Sequence, residues 1–260
     1  MTYGTLYGVG VGPGAPDLLT LRAVRTLESV PVLALPRSSD YGRSMAWQII
    51  EPVIRACPEQ ERLLLTFPMS KDPERIRPYF ETAFAKIGAR LERGQSVAFV
   101  TEGDPSLFST FIYLKREAPK RWPGVTIEIV PGVTSVTAVP AVTGIPLADG
   151  QERIAILPAT YGVDDLADVL LKFDTVVLMK IGAQMPKVIE ALKRTRLLDR
   201  AVFVSHATMA QQRIVRDLTE LGAQRGDCFA MVIVSRKDRS GVLAGDVAFS
   251  SVADLAEERA

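Results

Sequence analysis

Short apolar runs, each stopped by Gly or Pro, alternate along the chain with longer stretches in which apolar residues return every three to four positions. The short runs have the form of strands buried on both faces, and the longer stretches that of amphipathic helices. Strands are predicted at 7–11, 30–35, 62–67, 96–100 and 125–130. A helix is predicted over 17–29, with Leu18, Leu21, Val24 and Leu27 on one face and Arg22 and Arg25 opposite. Others are predicted over 44–56, stopped by Pro58, and over 72–93, stopped by Gly94. Residues 107–114 read as helical, 115–124 as a basic, proline-containing connector, and 134–144 as a helix made irregular by Pro140. Strand alternating with helix five times implies a mostly parallel sheet covered on both faces.

Residues 145–150 read as a domain boundary, after which the rhythm changes. Strands are predicted at 154–157, 175–180, 201–205 and 229–235, and helices at 163–171, 184–194 and 218–223. The connections are short enough for antiparallel pairing, so a smaller mixed sheet is expected. Residues 251–260, acidic and Ala-rich, read as a frayed helix. The fold class is therefore α/β in two domains. Residues 1–148 form an N-terminal domain with a parallel five-stranded sheet and helices on both faces. Residues 149–260 form a C-terminal mixed-sheet α/β domain.

Three predicted strands end in chemistry. One runs into Gly12-Pro13-Gly14, one into Thr101-Glu102-Gly103-Asp104-Pro105-Ser106, and one into Pro131-Gly132-Val133-Thr134-Ser135. The carboxyl edge of an open α/β sheet is where ligands bind. One such turn is an ordinary strand–helix connection, but three together favour a small-molecule site. Residues 10–15 fit the glycine pattern of dinucleotide folds. However, Pro13 removes a backbone N–H from the phosphate cradle, and the second strand ends in Pro36-Arg37 rather than in an acid. A nicotinamide cofactor is thus disfavoured; a flat, largely uncharged ligand can still lie on such a loop. Asp104 reads either as a turn former or as a carboxylate for a cationic ligand such as a sulfonium. Thr134 and Ser135 can cap the next helix and also meet an anionic group. Lys180, ending a strand, reads as a solvated terminus or as a partner for an acidic substrate. Arg37, Arg43 and Lys71 read as surface charge on the ligand side, and His206 as a structural histidine.

Composition narrows the class. An apolar fraction of 47% supports a sizeable core, and a net charge of +1 gives no bulk field toward nucleic acid or an anionic membrane. Cys57 and Cys228 form no CxxC pair, which points to a reducing compartment, and a single histidine excludes a His-rich metal centre. No signal peptide and no membrane-spanning run is evident, so a soluble, cytoplasmic protein with no metal site is expected.

Tyr7-Gly8-Val9-Gly10-Val11-Gly12-Pro13-Gly14 with Leu18-Leu19-Thr20-Leu21, then Glu102-Gly103-Asp104-Pro105, Pro131-Gly132-Val133-Thr134-Ser135 and Gly144-Ile145-Pro146-Leu147, occur in an order that resembles the tetrapyrrole (corrin/porphyrin) methyltransferases. Within that family the stretches Thr101 to Phe111 and Ile154 to Thr160 look most like the precorrin-2 C(20)-methyltransferases. Glu102, where the uroporphyrinogen branch has glycine, and Ala148-Asp149-Gly150 after Leu147 set the chain apart from that branch. The resemblance implies a homodimer with S-adenosylmethionine bound between the two domains and released as S-adenosylhomocysteine. It carries cofactor contacts onto Pro13, Glu102, Gly103, Asp104, Leu107, Thr134 and Ser135. It places further contacts at Met179 or Lys180, and near Thr208 and Met209. The implied reaction methylates a meso carbon, C-20, of the tetrapyrrole precorrin-2, with Asp104 as the candidate catalytic residue orienting or balancing the sulfonium. Cobalt-factor II is the alternative substrate, and a non-catalytic tetrapyrrole carrier the alternative class.

Overall fold

The computed structural model describes residues 2–55, 57–70, 72–221 and 229–237. Lys71, Cys228, the end of the helix expected at 218–223 and the helix expected at 251–260 lie outside the described residues. Contacts divide the chain into two units, Met1–Ala138 with His206–Gln212, and Val139–Ser205 with Arg213–Ala260.

The first unit holds β1 (Leu6–Gly10), β2 (Val32–Arg37), β3 (Glu61–Thr66), β4 (Val97–Thr101) and β5 (Ile127–Val130) in the order β3-β2-β4-β1-β5. Every pairing is parallel; Leu6 sits opposite Val97 on one side and Ile127 on the other. Alternation along each strand sorts side chains to two faces. Val32 and Ala34 of β2 pack with Phe84, Ile87 and Leu91 of α3 (Pro73–Leu91) and with Phe111 and Leu114 of α4 (Phe111–Arg121). Leu33 and Leu35 pack on the other face with Ala23 and Leu27 of α1 (Leu21–Ser29) and with Ile49 and Ile50 of α2 (Met45–Ile50). Helices cover both faces, as the continuous apolar runs require.

The helix expected over 44–56 ends at Ile50, and of the helix expected over 218–223 the described part, Leu218–Leu221, is 3-10; two further departures have local causes. The helix expected from residue 17 is split: a 3-10 turn at Pro16–Leu18 is followed by extended backbone, and α1 begins only after Thr20, whose hydroxyl accepts the Ala23 N–H at 3.1 Å. The segment read as helix 107–114 plus a connector is instead a turn followed by α4. Asp104 accepts the Ser106 N–H at 2.8 Å, Phe108 is left-handed (φ 53°), and Ser109 accepts the Phe111 N–H at 3.1 Å. These local bonds delay the helix, which then runs to Arg121 with Pro119 inside it.

The second unit holds β6 (Ile154–Pro158), β7 (Thr175–Met179), β8 (Ala201–Ser205), β9 (Arg213–Val215) and β10 (Ala230–Ser235) in the order β6-β7-β10-β8-β9. Only β6 and β7 pair in parallel, so this sheet is mixed. Leu166 and Leu170 of α6 (Val163–Lys172) and Val188 and Leu192 of α7 (Met185–Thr195) pack on Val176, Leu178, Val232 and Val234. The three-residue β9 was not expected.

At the middle of β1, a Cβ built on Gly8 would overlap the Phe111 ring. Gly8→Ala should therefore destabilise the protein by about 1–3 kcal/mol through overpacking. Urea unfolding checks this; an unchanged midpoint would mean that α4 does not sit tightly on the sheet.

Candidate functional site

At the carboxyl edge of the first sheet the chain leaves three neighbouring strands within a few residues. The Val11 N–H still donates to Thr101 O (3.0 Å), continuing the β1–β4 ladder by one bond. Gly12 and Gly103 then exchange both backbone bonds, Gly12 N–H to Gly103 O at 3.3 Å and Gly103 N–H to Gly12 O at 2.8 Å. This single antiparallel bridge off the end of a parallel pair needs both chains to reverse. Gly12 at φ 81° and Gly103 at φ 65° do so in the left-handed region. The third loop is drawn in equally closely. A Cβ on Gly10 would stand 2.5 Å from Gly103 O and 2.7 Å from Gly132 N.

Asp104 fastens the arrangement. One carboxylate oxygen accepts from Ser106 N–H inside its own turn (2.8 Å) and the other from Gly132 N–H at 3.0 Å. Above Gly103 the opposite condition holds: nothing lies within 4 Å of the position a Cβ would take. The edge is packed backbone against backbone underneath and open on top.

The remaining predicted residues of this unit line the same loops. Leu107, half-buried, donates its N–H to Asp104 O at 3.2 Å. Thr134 caps α5 (Ser135–Thr143): its hydroxyl accepts the Thr137 N–H at 3.4 Å and its carbonyl the Ala138 N–H at 3.0 Å, with Ser135 as the first helical residue. Beneath Glu102, Thr101 and Ser109 share a buried hydroxyl bond of 3.0 Å. Burial pushes the Glu102 carboxyl above its ordinary value, while the backbone N–H groups of Glu102 and Ala46 pull the other way.

A fourth segment joins these loops from far along the chain. The Ala15 N–H donates to Thr208 Oγ1 at 3.0 Å across 193 residues. The Met209 side chain lies against Gly14, where any Cβ would collide with it. Gln212 Oε1 accepts the Thr208 N–H at 2.7 Å. Sequence reasoning reached Thr208 and Met209 only through family resemblance and missed Gln212; the sole local signal is a polar side chain four residues after a threonine.

Met179 and Lys180 belong to the second unit. Met179, half-buried, ends β7 and its carbonyl accepts the Ala159 N–H at 2.8 Å; Lys180 follows, exposed and left-handed at φ 54°. His206 is half-buried and also left-handed. Arg37, expected as surface charge, is instead mostly covered, with 18% of its side chain exposed. Its guanidinium donates to Thr66 Oγ1 at 3.1 Å and to Asp40 Oδ1 at 3.3 Å. Among the described residues no cluster of His, Cys, Asp and Glu is arranged to hold a metal ion, and no helix is long and apolar enough to cross a membrane.

The family model described as Tetrapyrrole (Corrin/Porphyrin) Methylases matches residues 5–222. The cobalt-precorrin-2 C(20)-methyltransferase of Salmonella typhimurium is 34% identical over 236 residues, covering 90% of this chain and 97% of that one. The precorrin-2 C(20)-methyltransferase of Sinorhizobium is 30% identical over 246 residues, covering 91% and 97%. The cobalamin biosynthesis protein CobIJ of Mycobacterium tuberculosis is 33% identical over 255 residues, and this chain spans 48% of its length, about half. Among solved structures, uroporphyrin-III C-methyl transferase from Thermus thermophilus complexed with S-adenyl homocysteine matches with a TM-score of 0.65. It is 24% identical, with 90% of this chain and 98% of that one covered, a likeness of fold.

The Glu102 carboxyl gives a pH signature. Unfolding returns it to an ordinary value of 4.5, whereas the folded chain holds its proton to higher pH. Between the two values the native state binds the extra proton, so this group's contribution is most favourable below pH 4.5 and falls as pH rises through the window. Glu102→Gln should raise the urea midpoint over wild type above that window, and the two should converge below it. A constant offset across the pH range would show that Glu102 is not buried as described.

Proposed function

The chain belongs to the tetrapyrrole (corrin/porphyrin) methylases, and from that premise we propose that it transfers a methyl group from S-adenosylmethionine to C-20 of precorrin-2, giving precorrin-3A in cobalamin biosynthesis. The observation that carries this reading is the stitched loop edge, dense below and open above Gly103. Such an edge suits a compact nucleoside. The space over Gly103 is the cradle that a Cβ would fill; Asp104 and Leu107 follow it in sequence, and Pro13 follows its bridge partner Gly12. Glu102, Thr134 and Ser135 complete the donor site of this unit, and Thr208 holds its edge through Ala15.

When bound, S-adenosylmethionine supplies an electrophilic methyl on a sulfonium. A meso carbon of a reduced tetrapyrrole is enamine-like and already nucleophilic: it takes the methyl, S-adenosylhomocysteine leaves, and the meso hydrogen departs as a proton to solvent or a ring nitrogen, so the chain's task is alignment, which can be worth about 7–11 kcal/mol. Rigid loops serve that task. Both Asp104 oxygens already accept backbone N–H groups, so the carboxylate acts first by holding the loops. Its remaining lone pairs stay open to a cationic ligand.

A second substrate is favoured by a specific finding: relatives named for the metal-free and for the cobalt-bearing tetrapyrrole match at 30% and 34% identity. We read the protein further as a cytoplasmic homodimer. Phe108, Ile112 and Tyr113, exposed at 40%, 43% and 50% around the start of α4, support a partner surface, and light scattering tests it. The unpaired Cys57 supports a reducing setting.

Incubation with methyl-labelled donor and either precorrin-2 or its cobalt form, followed by mass spectrometry and NMR, should place one new methyl at C-20. Pigment bound without transfer would convert the reading to a carrier. Asp104→Ala should lower transfer by about 10–100-fold through loop misplacement while the chain stays folded; full turnover would remove Asp104 from the site.

A further inference from the structure

The segment His206–Gln212 clusters with the first unit although it follows β8 in the chain. Its backbone is unusual. His206 (φ 49°) and Thr208 (φ 69°) are both left-handed. For a β-branched residue such as threonine that conformation is a genuine outlier, and it persists only where the surroundings over-determine it. Here they do. The Thr208 N–H is held by Gln212 Oε1 at 2.7 Å, the Gln212 N–H by Met209 O at 3.0 Å, and Thr208 Oγ1 receives the Ala15 N–H at 3.0 Å. Met209, between them, lies on Gly14.

What this holds is the weak point of the Gly-Pro-Gly loop. Gly12 is fixed by its bridge to Gly103, and Pro13 is stiff by its ring. Gly14, at φ 155°, is free to rotate unless the next residue is anchored. The bond on Ala15 and the methionine on Gly14 supply that anchor from 193 residues away.

We propose that Thr208 and Gln212 form a latch that sets the affinity for the methyl donor by fixing the Gly14–Ala15 backbone. Thr208 is thus a positioning residue acting through Ala15. This rests on the donor site proposed above. Gln212 selects the left-handed conformation of Thr208, and that conformation directs the hydroxyl oxygen at Ala15.

The test compares Thr208→Ala, Thr208→Ser and Gln212→Ala in the full chain. Calorimetry with S-adenosylhomocysteine should show about three- to tenfold weaker binding for Thr208→Ala and Gln212→Ala, the size of one lost hydrogen bond, and near wild-type binding for Thr208→Ser. In turnover, KM for S-adenosylmethionine should rise by the same factor with little change in kcat. Amide exchange of the unliganded proteins should show Ala15 protected in wild type and in Thr208→Ser, and exposed in Thr208→Ala. Wild-type affinity in Thr208→Ala, or failure of serine to rescue, overturns the latch. Were wild type itself to bind no S-adenosylhomocysteine, the donor reading would fail. The exchange measurement would then decide the latch alone, with equal Ala15 exchange in all variants overturning it. If Thr208→Ala does not fold, Gln212→Ala carries the same comparisons.

Discussion

The loop edge depends on one carboxylate bridging two turns. A parallel sheet ends with strands side by side and their exits free to diverge, so some bond must gather them. The Asp104 side chain does so by accepting from Gly132 while closing its own turn on Ser106. Without it the half-buried Gly132 N–H would lose its partner, a deficit of about 1–3 kcal/mol for a desolvated donor. The Gly12–Gly103 bridge fastens the third exit to the second. Above this packed backbone, nothing lies within 4 Å of the position a Cβ on Gly103 would take.

Glu102 and Asp104, two residues apart, show how environment divides similar side chains. Asp104 receives two backbone N–H groups, one from its own turn and one from Gly132. Glu102 is pressed into the structure, where desolvation outweighs the N–H groups of its own residue and of Ala46. The first holds two turns in position. The second stores a proton further up the pH scale.

Most of the first sheet was legible because its signals are local and redundant. Continuous apolar runs such as Val97 to Val100 leave few alternatives to a buried strand, and Gly-rich stops mark the exits. The three loops were legible for the same reason. The start of α4 was not, since apolar spacing cannot reveal that Ser109 will cap Phe111 or that Phe108 will turn left-handed. β9 is three residues long, too short for any periodicity to register. The Ala15–Thr208 bond joins residues whose proximity no local pattern encodes.

The crowding of Gly10, Gly103 and Gly132 bears on how this scaffold can be altered. With three main chains touching and no side chain between them, no one turn can be lengthened, reshaped or exchanged with a relative's while the others stay put. The edge behaves as a single inherited part. Remodelling for a new acceptor would have to transplant all three turns as a set or leave them alone and vary the walls around them.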